Sequence, residues 1–293
     1  MNKGSFFHFV TLCTSVALWS QDPALDGSVE RYNGFFIGVG GSYNSVSLSQ
    51  TLDGTGISDI YSGATLVARG EAGGPTAPFR ETETTFSPEG QIGYMQHIGD
   101  SPWFLGGKFL YQYLGLSFSN GPLDAFQKGE FTTLSGGNTF IGNAIIQSSQ
   151  TLLNHELVLM PFFGYSIDRT HFYLGGGVSV FQANFYQYNF VGFADINGTH
   201  NDITGSPINL SDSLWMWGGG AQIGAKHFFN PNWFLDFSYG YFVTPKYSFN
   251  NSESFTSTTI SDGDSYLNRG TAYISSSQSF ILQSLTISLN YLF

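Results

Sequence analysis

The chain of 293 residues is only 11% charged but 17% aromatic, holds 37 Gly and 29 Phe, and carries a formal net charge of −11. A water-soluble domain usually has about 25% charged residues, so this chain lacks the means to coat an ordinary soluble surface. Its ten scattered Lys and Arg exclude a nucleic-acid partner, and the want of any run of about 20 apolar residues excludes helical membrane spans.

Residues 1–20 read as an export signal. Lys3 supplies the positive start, FFHFVTLCTSVALW the apolar stretch, and Ala17 and Ser20 the small residues near a cleavage point. Residues 21–33 follow as a short periplasmic segment. Cys13 falls inside the signal, so the mature chain is expected to lack disulfides and thiolate metal sites.

From residue 34 onward, eight segments alternate apolar and polar residues with the period of a half-buried strand: 34–48, 85–98, 103–118, 152–167, 171–187, 213–229, 233–249 and 278–293. GDSP (99–102), DRT (168–170) and NPN (230–232) are tight turns. The remaining connections, 49–84, 119–151, 188–212 and 250–277, are long and rich in Gly, Ser, Thr and Asn, a composition that suits flexible display. The short-long alternation predicts a closed eight-stranded antiparallel transmembrane β-barrel over 34–293, with short periplasmic turns and four long extracellular loops.

Strand by strand, one face is bulky. Phe35, Ile37, Val39 and Tyr43 oppose Gly38, Gly40, Ser42 and Asn44. Trp215, Trp217 and Ile223 oppose Met216, Gly218 and Lys226; Trp233, Phe237, Tyr239 and Tyr241 oppose Phe234, Asp236 and Ser238. An eight-stranded barrel has an interior only just wide enough for side chains, so the bulky set is expected to face lipid and Gly, Ser, Asn and a few charges to line the lumen. Trp103, Phe172 and Trp233, with Phe228 and Phe229, flank tight turns and are expected in the periplasmic aromatic girdle. Tyr43, Tyr113, Trp215 and Trp217 are expected in the outer one.

The final segment, SLTISLNYLF, alternates apolar residues up to Phe293, and in a closed sheet it pairs with the first strand to leave no edge in lipid. It resembles the C-terminal signature of bacterial outer-membrane proteins. That resemblance implies that Leu289, Tyr291 and Phe293 form a signal read by the barrel-assembly machinery of a Gram-negative outer membrane. NGFFIGVGGSYN and SLTISLNYLF together resemble the first and last barrel strands of the Helicobacter outer-membrane protein families. The long extracellular domain with paired cysteines of their large adhesins has no counterpart here.

Parity places five charges on the lumen face: Glu89, Lys108, Glu156, Lys226 and Asp236. Lys226 and Asp236 are equally spaced about Pro231, so a simple hairpin register sets them opposite each other, as a pair that fixes register and plugs the bore. Lys108 with Glu89 or Glu156 is expected to form a second network. The loops carry Asp53, Asp59, Glu71, Glu81, Glu83, Asp124, Glu130, Asp195, Asp202, Glu253, Asp262 and Asp264, an acidic surface able to share divalent cations with lipopolysaccharide phosphates.

Enzyme signatures are weak. The histidines His97, His155, His171, His200 and His227 are dispersed, and neither a GxSxG elbow nor ligand-spaced His/Asp/Glu residues occur. The Gly runs at 175–177 and 218–220 lie inside strands, which removes a phosphate-loop reading. The sequence therefore predicts a non-enzymatic outer-membrane barrel without cofactor or metal. Its partners are outer-membrane lipid, lipopolysaccharide and a host or surface ligand of unidentified chemistry. A narrow channel is the alternative, and a lipid-modifying enzyme a distant third.

Overall fold

The computed structural model describes residues 31–133, 136–196, 199–261 and 263–293; the export signal, residues 21–30 of the periplasmic segment and Asp262 lie outside them. The described residues form strands β1 (Gly34–Ser62), β2 (Thr65–Pro75), β3 (Phe79–His97), β4 (Trp103–Asn120), β5 (Leu123–Thr133), β6 (Gly136–Ile167), β7 (Thr170–Ile196), β8 (Thr199–Asp202), β9 (Ile208–Phe228), β10 (Trp233–Val243), β11 (Tyr247–Ser261) and β12 (Asp264–Leu292), with no helix. All pairings are antiparallel. The path β1–β3–β4–β6–β7–β9–β10–β12 returns to its start, because β12 pairs β1 from Phe36↔Leu292 to Ser62↔Tyr266. At the 168–169 turn Asp168 takes a left-handed φ of 49°, a conformation Asp adopts more readily than most residues.

The four long connections are not loops. β1 runs on to Ser62, β6 starts at Gly136, β7 ends at Ile196 and β12 starts at Asp264, while β2, β5, β8 and β11 fill the same intervals. At 29 residues β1 is about 95 Å long, far beyond the usual five or six residues of a strand.

The reason the sequence hides this is an inversion of the alternation. In the lower part of β1 the odd residues Phe35, Ile37, Val39 and Tyr43 are apolar and exposed, while Ser42 and Asn44 are buried. Higher up, the buried even positions turn apolar (Val46, Leu48, Leu52) and the outward ones become Ser47, Ser49, Thr51 and Asp53. β7 repeats the change: Phe172, Leu174 and Val178 are exposed below, and Phe181, Ala183 and Phe185 are buried above. The lower storey is apolar outside, as lipid requires; the upper storey is mainly polar outside, with Phe126, Ile141 and Ile260 exposed among its outward residues, and has an apolar core. That upper core contains Val46, Leu48, Leu116, Phe118, Leu153, Phe181, Phe185 and Phe280, continued by Leu52, Ile146, Phe190, Phe255 and Ile274.

The outward aromatics bracket the lower storey. Trp103, Phe172 and Trp233 are exposed beside the turns, and Trp215 and Trp217 are exposed further along β9. From Phe229 to Trp217 the strand covers about 40 Å, or about 28 Å of height at a tilt of 45°, close to the ~25 Å apolar band of outer-membrane proteins. Phe228 departs from the girdle placement given above. It is fully buried and stacks on Tyr32 with ring centroids 3.9 Å apart, because it shares parity with Lys226 and only Phe229 points outward.

The ladder between β3 and β4 is interrupted. It runs from His97↔Phe104 to Glu89↔Gln112, and the same register resumes between β2 and β5 from Gly73↔Lys128 to Ala68↔Thr133. Between them only the bridge Thr76↔Ala125 forms. Residues 77–88 and 113–124 otherwise face each other unladdered, and Ser119 donates its backbone N–H to the Glu81 carboxylate (3.2 Å) instead. Pro78, Pro88 and Pro122 lie on these segments, each without a ladder donor. A second seam separates β9 from β11, spanned by Asn251 Nδ2 donating to the Ser211 carbonyl (2.9 Å), while beyond it Ser257 Oγ donates to the Ile203 carbonyl between β8 and β9 (2.6 Å). Amide exchange measured by mass spectrometry is expected to be roughly tenfold faster in peptides from 113–124 than in fully laddered 180–187. Equal protection of the two would show the ladder closed in solution.

Among exposed pairs, Asp59 accepts two hydrogen bonds from Arg69 across the β1–β2 hairpin (2.6 and 3.0 Å). These bonds hold the Asp59 carboxyl below the usual carboxylate range. The contribution is present at neutral pH and fades as the pH falls through that lowered value.

Candidate functional site

The inward-facing side chains of the lower storey pack against one another, and Asp236 lies at their centre. β9 and β10 set Asp236 directly across from Lys226, with Lys226 Nζ 3.0 Å from Asp236 Oδ2. The same carboxylate accepts from Tyr173 OH (2.8 Å) and, at 3.4 Å each, from Lys108 Nζ and Gln91 Nε2. Lys108 also donates to Tyr173 OH (3.0 Å). Lys226, Asp236 and Lys108 are 0%, 1% and 2% exposed, so water does not reach this level.

Rings complete the surroundings. Lys226 Nζ lies 4.5 Å from the centroid of Phe36, 4.9 Å from Tyr173, 5.0 Å from Phe234 and 5.2 Å from Phe162. At 3.0 Å the ion pair attracts by about 5 kcal/mol with an effective dielectric of about 20, against a desolvation cost of several kcal/mol for each ion. The two nearly cancel. Cation–π attraction, about 2 kcal/mol for a desolvated contact, and the added donors to Asp236 therefore decide the balance.

The inward face is expected to hold Gly, Ser, Asn and a few charges, with Phe234 among them; at the lower end it also holds Tyr32, Phe36, Phe104, Phe162, Tyr173 and Phe228. Glycines make the room. Phe36 lies across from Gly93, Phe104 from Gly164, Phe162 from Gly106 and Tyr173 from Gly224, each in register on the neighbouring strand. A Cβ at any of these glycines would run into the facing ring. The parity of Phe36 and Phe234, in phase with Asn44 and Asp236, was the available signal for this floor.

Above it lies a second polar tier. Gln112 sits in register with both Glu89 and Glu156; it donates to Glu156 and accepts from Ser42 Oγ (2.5 Å) and Asn44 Nδ2 (3.1 Å). Thr286 Oγ1 donates to Glu89 Oε2 (3.2 Å). The expected pairing of Lys108 with Glu89 or Glu156 does not form: its ion pair is with Asp236, because β4 places Lys108 four residues below Gln112, at the level of Tyr173. Glu89 and Glu156 each keep one buried oxygen without a protein donor.

At the bottom rim the dispersed histidines conceal one ordered chain. Asn33 Oδ1 accepts the His97 backbone N–H (2.7 Å), which identifies it as the amide oxygen. It also faces His97 Nδ1 at 2.9 Å, and Ser166 Oγ faces Nε2 at 2.8 Å. The order Ser–His–Asn has the polarity of a hydrolase triad, but Ser166 is 1% exposed and its backbone N–H is taken by the Pro102 carbonyl. The chain therefore ties the entry of β1 to the ends of β3 and β6. Among the described residues no three His, Cys, Asp or Glu converge at metal-binding distance. At the same rim, where the end of β12 pairs with the start of β1, Leu289 and Phe293 are exposed, and the Tyr291 ring meets Trp233 and Phe293 edge-on at 5.1 and 5.0 Å.

No family model matches the chain. It is similar to outer membrane protein P1 of Coxiella burnetii, with 29% identity over 282 residues covering 96% of this chain and 93% of that protein. Solved structures with detectable likeness include OprG from Pseudomonas aeruginosa (11% identity, 92% of this chain and 99% of that one, TM-score 0.33). The attachment invasion locus protein Ail of Yersinia pestis gives 11% identity over 84% and 98%, with a TM-score of 0.29. The chain is an all-β protein of the bacterial outer membrane.

Proposed function

We propose that this outer-membrane protein is a closed barrel of eight staves that works without enzymatic activity, as a plugged anchor carrying a tube above the bilayer for envelope integrity or contact with host and other surfaces. The dry centre carries this reading: Lys226, Asp236 and Glu156 are 0–1% exposed, in the place where a solute would have to pass. The inversion of the alternation above the aromatic belt supports the tube, since a wall with polar outward faces is built for water. In the same reading, the acidic outer wall meets lipopolysaccharide, sharing divalent cations with its phosphates. Leu289, Tyr291 and Phe293 are read by the assembly machinery in this reading.

Planar-bilayer recordings of the purified protein are expected to stay silent, with or without Lys226→Ala. Stable conductance in the unsubstituted protein would replace this reading with the channel. A fluorophosphonate that labels Ser166 in the folded protein would remove its non-enzymatic half.

A further inference from the structure

The upper storey contains a cavity of about 70 Å³ that the plugged-anchor reading does not use. Gly56, Ser58 and Ile60 of β1 line one side, Phe131 of β5 and Phe140 of β6 another, and Phe193 of β7 a third. Its walls are almost wholly apolar, and Ile60, Phe131, Phe140 and Phe193 keep partial exposure, so it is reached from the surface.

Two observations point to a ligand rather than a packing fault. Ser58 is 8% exposed, lines the cavity, and its Oγ has no hydrogen-bond partner in the protein. A buried hydroxyl without a partner is costly, and an occupant able to donate or accept one hydrogen bond would remove that cost. Gly56, two residues earlier on the same face, has no atom within 4 Å of where its Cβ would lie, so the space is open rather than filled by a neighbour.

We propose that this cavity binds the end of a small aliphatic molecule bearing one hydrogen-bonding group, of the linear alcohol or ketone class. The volume sets the size. It is about half that of the ~150 Å³ apolar cavity that takes up benzene, so it accepts two or three carbons and rejects an aromatic ring. The oxygen of the ligand meets Ser58 Oγ, and the rest of the chain leaves past Ile60 and Phe140. A charged ligand is disfavoured because the wall surface open to the cavity is almost wholly apolar and would not replace its hydration.

The test uses the full protein in detergent, a diazirine-bearing octanol as photolabel, and the corresponding diazirine-bearing octane. Label mapped by mass spectrometry is expected to concentrate on the cavity walls of β1, β5 and β7 at low micromolar octanol, above the level on the outward belt. Gly56→Leu fills the space and is expected to cut wall labelling at least tenfold while belt labelling stays constant. Ser58→Ala is expected to weaken octanol labelling about fivefold, the value of one hydrogen bond, and to leave octane labelling unchanged. Wall labelling no higher than belt labelling, or insensitive to Gly56→Leu, overturns the site. Loss of both labels equally in Ser58→Ala overturns the assignment of the hydroxyl. Neither result bears on whether the lower bore conducts, so the site and the plugged-anchor reading fail separately.

Discussion

Asp236→Asn is expected to destabilise the folded protein by about 3–5 kcal/mol, the range seen when one member of a buried charge pair is removed. The substitution keeps the shape but leaves two ammonium groups, Lys226 and Lys108, within 3.0 and 3.4 Å of a neutral amide. Neither can escape, since both are at most 2% exposed. Lys226→Met should cost distinctly less. It removes one ion, gives the four rings an apolar chain to pack on, and leaves Asp236 its contacts with Lys108 and Tyr173. Urea titration of the micelle-bound protein, followed by tryptophan fluorescence, measures both. If Lys226→Met were as damaging as Asp236→Asn, the carboxylate would not be the hub of the plug.

Gly240→Ala is expected to cost about 1–3 kcal/mol through overpacking. A Cβ at Gly240 would come within 2.8 Å of the Phe242 ring and meet no backbone atom at comparable range. The double variant Gly240→Ala with Phe242→Leu should therefore recover most of the loss relative to Phe242→Leu alone. Gly106→Ala should not be rescued by Phe162→Leu, because there the Cβ also runs into the Tyr94 carbonyl. The same titration reads all of these, and additive losses at Gly240 and Phe242 would mean that the ring does not depend on the glycine.

The lower storey was legible because its outward rings and inward small residues obey one rule over eight segments. Lys226 and Asp236 were placed from the symmetry of NPN alone, and the observed register sets them opposite. The upper storey was not legible, since its strands keep the period but exchange the faces: Leu48 and Leu52 are in phase with Asn44, not with Phe35. Ser, Thr and Gly on the outward positions then look like loop composition. The aromatic floor was missed for a different reason. Phe104 and Phe162 fit only because Gly164 and Gly106 stand across from them, and that complementarity exists between strands, not along one. The Ser166–His97–Asn33 chain joins residues 64 and 69 positions apart, which no local motif could reveal.

The two interruptions in the ladder lie on opposite sides of the ring, with four staves between them either way round. In the proposed barrel, the part above the aromatic belt is thus a pair of curved plates, one built on β12 and β1 and the other on β6 and β7, riveted at the base and again where β2 meets β5. Such a body flattens or widens by flexing along two lines while its other joints stay unstretched, so its outline can yield to what it touches although its foundation cannot.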